Sequence, residues 1–205
     1  MNRKEITDGR SLRSIATKKR LLEASKELFY ENGFEKTTIT QIIKKAKTGY
    51  GTAYVYFKGK DDILIMLIED VMQEFLDMAN TPFAPSSKQE AEALIHKQVM
   101  LFLNMAKKNH QIMKVFSEAI GLSLAVNMKW NEIRESYIYY ITNDITYSQS
   151  CGLARSDLQA NLVARFWFFA NEGFQWEVVH KTNTASIEEI ANTLTAMYVD
   201  GLYNT

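Results

Sequence analysis

The chain has 205 residues, 46% hydrophobic and 12% aromatic, which is enough to bury a core in one or two domains and excludes a single disordered segment. Net charge is zero, yet residues 1–60 carry 14 Lys+Arg against 6 Asp+Glu and residues 61–205 carry 10 against 18, so a +8 segment precedes a −8 one. No run of about 18 apolar residues occurs and MNRKEITDGRSLR lacks the apolar centre of a signal peptide, so a cytoplasmic protein with no membrane partner is expected.

With only two prolines, Pro82 and Pro85, and nine glycines, long intervals contain nothing that interrupts a helix, and an all-α fold is expected. The basic arm NRKEITDGRSLR reads as a solvated tail, with a disordered arm trailing along DNA as the alternative. From Ser14 to Asn32, Ile15, Leu21, Leu22, Leu28 and Phe29 recur at helical spacing, with small Ser25 on the same face. Asn32-Gly33 supplies a left-handed cap. Thr38-Ile39-Thr40-Gln41 has the form of a capping box and predicts a short helix over 39–46 with Ile39, Ile42, Ile43 and Ala46 inward. A tight connection at Lys47-Thr48-Gly49 leads to a third helix, 50–57, for which Ala53 and Phe57 are the core anchors. Two short helices and a turn of three residues fit a helix-turn-helix.

A fourth helix is predicted over 60–80, with Asp61 and Asp62 favourably placed at its N-terminus. NTPFAPSSK reads as a join between modules. Helices follow near 88–107, 110–120, 123–149, 157–180 and 186–203, the last two starting at the capping-box sequences Ser156-Asp-Leu-Gln159 and Ser186-Ile-Glu-Glu189. The stretch ARFWFFANEGFQWEVV, 164–179, is aromatic around nearly its whole circumference and must be covered on more than one side. Gly173 inside it costs about 1 kcal/mol relative to alanine and would let a partner approach closely.

Residues 33–64, GFEKTTITQIIKKAKTGYGTAYVYFKGKDDIL, resemble the TetR family of bacterial transcriptional regulators, whose signature runs roughly G-[YF]-x-x-[TS]-[TS]-[VI]-x-x-I-A-x-x-A-G-V-[ST]-x-G-T-[LI]-Y-x-[HY]-F-x-[SN]-K-[ED]-x-[LI]-L. Gly33, Phe34, Thr37, Thr38, Ile42, Ala46, Gly51, Thr52, Tyr54, Tyr56, Phe57, Lys60, Asp61 and Leu64 match it. The departures are Lys47-Thr48-Gly49 in place of Gly-Val-Ser, and Ala53 in place of a larger aliphatic residue. A positive φ at Lys47 would cost on the order of 1 kcal/mol, unless Gly49 takes over that role.

The resemblance implies an N-terminal three-helix DNA-binding domain, 1–59 with its basic arm, and a C-terminal helical ligand-binding and dimerisation domain, 60–205. DNA binding needs donors aimed at phosphates and side chains that reach base edges. Thr38, Tyr54, Tyr56 and Lys60 stand where family members grip the backbone; Lys36 can donate, and Tyr50, Gly51, Thr52 and Val55 belong to the reading helix. The family also implies an effector cavity, for which Met105, Met113, Phe116, Trp130, Tyr137, Phe169 and Glu172 are the candidates, since methionines and aromatics suit apolar ligands. Glu172 would favour a cationic ligand, pair with Arg165 or face solvent. The last two helices, about 157–203, would form a homodimer reading a palindromic double-stranded DNA operator.

The expected function is a ligand-responsive repressor released from its operator by a small apolar or amphipathic effector. The alternative is a helical carrier or sensor of apolar ligands with a lapsed helix-turn-helix. One cysteine, Cys151, cannot form an intramolecular disulfide, and His96, His110 and His180 have no metal-ligand spacing, so neither metal nor cofactor is expected. Without a Ser/His/Asp arrangement or phosphate-cradling glycine loop, an enzyme is not expected either.

Overall fold

In the computed structural model, residues 3–79 and 82–204 are described, with side chains for 12–77 and 82–204. Among these residues the regular structure is α1 (Arg3–Asn32), α2 (Ile39–Lys45), α3 (Tyr50–Tyr56), α4 (Lys60–Ala79), α5 (Lys88–Lys108), α6 (His110–Leu122), α7 (Leu124–Ser150), α8 (Ala160–His180) and α9 (Ile187–Leu202). The one isolated bridge recorded joins Ala154 to Tyr203. An all-α fold follows from the sequence as expected.

Three local expectations need correction. The basic arm is not a tail throughout: α1 begins at Arg3, although Asn2 and the side chains of 3–11 lie outside the described residues. Ile15 is 62% exposed rather than buried. Ser14 instead faces α3, its Oγ within 2.9 Å of Tyr56 Oη, and the step of about 100° per residue turns Ile15 outward. The capping box at Ser156 does not form, because α8 starts at Ala160 behind Gln159. Arg155 holds Asp157 at 2.8 Å and Gln149 Nε2 donates to the carbonyls of Arg155 and Leu158, both at 2.8 Å, which fixes this segment as a loop. The boxes at Thr38 and Ser186 are both present.

The chain forms two compact units, neither continuous: Met1–Asp70 with Lys114–Lys129, and Val71–Met113 with Trp130–Thr205. The division expected from the sequence falls at 59/60. The first unit also takes the start of α4, most of α6 and the start of α7.

In the first unit α1 packs against α2 and α3. Leu21, Phe29, Phe34, Ile42, Ile43, Ala53 and Phe57 are buried, each large side chain stabilising by about 1.5–3 kcal/mol. Lys45 at the end of α2 reaches Glu27 at 2.8 Å and Glu31 at 3.5 Å on α1. In the second unit α5 packs against α8 and α9, and Trp167 of α8 stacks on Tyr198 of α9 with centroids 4.0 Å apart. Phe75, Phe102, Tyr137 and Phe168 form a chain of ring contacts at 5.3, 6.1 and 5.7 Å.

Candidate functional site

Two turns set the short helices. At the first, Gly33 has φ 76, a region that favours glycine. A Cβ there would also lie 2.8 Å from Glu118 Oε2. The Glu118 carboxylate comes this close because it accepts the backbone N–H groups of Phe34 and Glu35, each at 3.0 Å. From the carbonyl side, Lys60 Nζ donates to Phe34 O at 2.6 Å and Glu35 O at 3.1 Å, and sits 4.3 Å from the Phe34 ring centroid. Buried Thr37 closes the turn by donating to Gly33 O at 2.7 Å. The Phe34–Glu35 backbone is thus held by an acid on its donors and a base on its acceptors.

At the second turn the positive φ falls on Lys47, at 49, and not on Gly49, which has φ −79 and is the N-cap of α3. Lys47 N–H donates to Lys44 O at 3.2 Å and Thr48 N–H to Ile43 O at 3.3 Å, the paired bonds of a Schellman motif. Lysine thus stands in the left-handed conformation at the position where the signature that residues 33–64 resemble has glycine.

These turns leave α3 with two unlike sides. Ala53 is 1% exposed and, just after the helix, Phe57 2%. Tyr50, Tyr54 and Val55 are 54%, 49% and 79% exposed, and Gly51 and Thr52 are exposed beside them. The nine candidate DNA contacts fall into two groups. Lys36, Tyr50, Gly51, Thr52, Tyr54 and Val55 present free surface. The other three have internal roles: Thr38 Oγ1 caps α2 by accepting from Gln41 N–H at 3.3 Å, Tyr56 meets Ser14, and Lys60 holds the Phe34–Glu35 turn.

In the second unit a cleft of about 70 Å³, partly open to solvent, is lined by Gln98, Val99 and Phe102 of α5, Tyr137, Tyr140, Ile141 and Asp144 of α7, and Trp167, Phe168 and Asn171 of α8. Of the seven candidate ligand residues, Tyr137 alone lines it. Phe169 is 48% exposed on the outer face of α8, while its neighbour Phe168 takes the cavity wall. Met113, Phe116 and Trp130 are buried and Met105 is half-buried, none of them on this cleft.

Glu172 does not pair with Arg165, which instead grips Glu135 at 2.7 Å. Its Oε1 accepts from Trp130 Nε1 at 2.8 Å, Arg134 Nε at 2.9 Å and Nη2 at 2.7 Å, and Trp176 Nε1 at 3.3 Å. Its charge is already compensated, which removes it as a counter-ion for a ligand. The acid on the cleft is Asp144, whose carboxyl burial pushes up to about 7. Tyr137 Oη, deeply buried, has no hydrogen-bond partner, and burial raises its hydroxyl far above the usual range. The missed residues Tyr140, Ile141 and Asp144 stand three, four and seven positions after Tyr137, a spacing that places all four on one helix face.

Residues 21–67 match the family model described as bacterial regulatory proteins, tetR family. The fatty acid metabolism regulator protein of Bacillus subtilis (strain 168) is 24% identical over 186 residues, covering 90% of this chain and 94% of that protein. The fold is shared with a TetR family transcription regulator from Marinobacter aquaeolei VT8, TM-score 0.63 at 16% identity over 95% of this chain and 100% of that one. It is shared also with SmeT in its triclosan complex, TM-score 0.71 at 16% identity over 92% of each chain. The Bacillus subtilis relative is thus named as a regulator and the Marinobacter aquaeolei protein as a transcription regulator. Motif, helix order and whole-length likeness agree: the chain is similar to the TetR family of bacterial regulatory proteins, whose model its residues 21–67 match.

Proposed function

We propose that the protein is a cytoplasmic, homodimeric repressor that reads a palindromic operator with α3 and releases it when a small amphipathic effector enters the α5–α7–α8 cleft. Regulators of this family bind operator DNA and small-molecule effectors as dimers. The observation that carries the reading is the division of α3: Ala53 and Phe57 hold it down while Tyr50, Thr52, Tyr54 and Val55 face outward. Val55 offers a methyl contact to thymine, and Thr52 and Tyr54 offer hydroxyls to bases or phosphates. The +8 charge of residues 1–60 supplies long-range attraction to DNA. A relative named for fatty acid metabolism and a neighbour bound to triclosan support a small amphipathic effector.

Dimerisation is supported by α8. Leu162, Phe166 and Phe169 are all exposed, and with Gly173 they form a single stripe opposite the buried residues Ala164, Trp167, Phe168 and Asn171. Gly173 has open space where a Cβ would stand. A second copy lying on this stripe would cover what one chain leaves bare.

Footprinting of the promoters of its own and neighbouring genes tests the proposal. Protection of a palindrome by wild type, lost in Thr52→Ala/Tyr54→Phe at unchanged melting temperature, is expected. Equal binding by the double variant would favour a carrier whose helix-turn-helix has lapsed. Lys60 is unsuited to this test because its ammonium supports the Phe34–Glu35 turn.

A further inference from the structure

Resting on the reading of the α5–α7–α8 cleft as the effector site, we propose that it takes a lipophilic amine in its protonated form, with Asp144 as counter-ion, Tyr137 Oη as a second polar contact and an aromatic or branched apolar body between them. The first ground is charge. Asp144 is the one acidic residue on the lining, and no lysine, arginine or histidine accompanies it. An anionic amphiphile would bring a second negative charge beside it, whereas an ammonium would neutralise it in a partly dry site.

The second ground is the contrast between Asp144 and the buried acid Glu172 of the same unit. Glu172 is closed off by one arginine and two tryptophans. Asp144 is half-buried, and among the described residues its carboxylate has neither an ion pair nor a hydrogen bond. A carboxylate so placed lacks compensation unless a ligand supplies it. The third ground is Tyr137, whose buried hydroxyl lines the same cleft without a partner. Seven residues separate it from Asp144 on one face of α7, which is about 10 Å along the axis, and Phe102, Tyr140, Trp167 and Phe168 wall the interval. Their faces suit an ammonium head as well as an apolar body.

The site is also pH-sensitive in a defined direction. Gln98 of α5 and Asn171 of α8 are uncharged, as are Tyr137 and Tyr140 on α7 itself. Tyr198 of α9 and Tyr203, within electrostatic reach of Asp144, have hydroxyls raised by burial and stay neutral. With its own carboxyl near 7, Asp144 must release a proton to hold a cation, so affinity for an amine rises as pH passes upward through that value.

Titration of the full-length protein with 4-phenylbutylamine, 4-phenylbutanol and 4-phenylbutyrate, followed by tryptophan fluorescence or calorimetry, tests this with one body and three heads. At about pH 8 the amine is expected to bind about tenfold more tightly than the alcohol, with the acid weakest. Asp144→Asn should lower amine affinity about tenfold, leave the alcohol unchanged and abolish the rise in amine affinity between about pH 6 and pH 8. Tyr137→Phe should weaken the amine without altering that pH dependence. Binding of the acid as tight as the amine, or of the amine unaltered by Asp144→Asn, overturns the cation and leaves the cleft a ligand site. Failure of all three probes to bind overturns both.

Discussion

Lys47 stands at a left-handed backbone position, φ 49, where a side chain is strained and glycine is not. Lys47→Gly is therefore expected to raise unfolding stability by about 1 kcal/mol in urea titrations, because the Schellman bonds at Thr48 and Lys47 remain. Gly33 is the converse case. Gly33→Ala meets both a φ of 76 and the Glu118 carboxylate at 2.8 Å, and a loss of about 1–3 kcal/mol is expected. Adding Glu118→Ala should recover the contact part of that loss and leave the conformational part, a coupling that a double-mutant cycle measures directly. Asp144 adds a pH dependence to the empty protein. The folded chain keeps its proton up to about pH 7 while an unfolded aspartate releases it near 3.9. The folded state thus binds more protons between those values, and stability falls as pH rises through that window. Ligand-free Asp144→Asn should melt above wild type at about pH 8, by a margin that shrinks toward pH 5. The turn at Lys47 stood out in the sequence because a local motif fixes what it ought to be. Glu118 did not, since it meets Phe34 from 84 residues away and no short-range pattern encodes such a pairing.

Among the elements, α3 was the most legible and α8 the least. In α3 the small Ala53 and the following Phe57 mark the inner side whatever the other residues do, and both are buried. Phe57→Ala is expected to destabilise by about 3–5 kcal/mol in thermal or urea unfolding, whereas Tyr54→Phe, at a half-exposed site, should leave stability within about 0.5 kcal/mol. In α8, apolar residues occur on both sides, so periodicity could not tell Phe168 on the cavity from Phe169 on the outer stripe. Its start was misplaced for a different reason: Ser156 has the capping spacing, but Gln149 and Arg155 engage the backbone and Asp157 first. Where no such competitor exists, at Ser186, the same spacing forms the cap, with Ser186 N–H donating to Glu189 at 2.8 Å. Ligand residues chosen by side-chain type missed the cleft for want of the face: Met113 and Trp130 are core, while Tyr140 and Asp144 share the wall with Tyr137.

At the scale of the whole molecule, the division between a +8 and a −8 segment leads to the expectation of one part attracted to a polyanion and one part repelled by it. A homodimer is required for two copies of α3 to meet successive half-sites. Phe166, 66% exposed at the middle of the α8 stripe, tests it: Phe166→Glu is expected to convert a sedimenting dimer to a monomer and to weaken binding to a palindrome by about a hundredfold or more. The central claim, that the basic unit is a sequence-specific reader of DNA, is tested most directly by fluorescence anisotropy on the footprinted palindrome and a scrambled duplex of equal length, across a range of salt. Binding to the palindrome about a thousandfold tighter than to the scrambled duplex, falling steeply with salt and lost in Thr52→Ala/Tyr54→Phe, is the expected result. Equal affinity for the two duplexes, or an affinity indifferent to the double substitution, would contradict it.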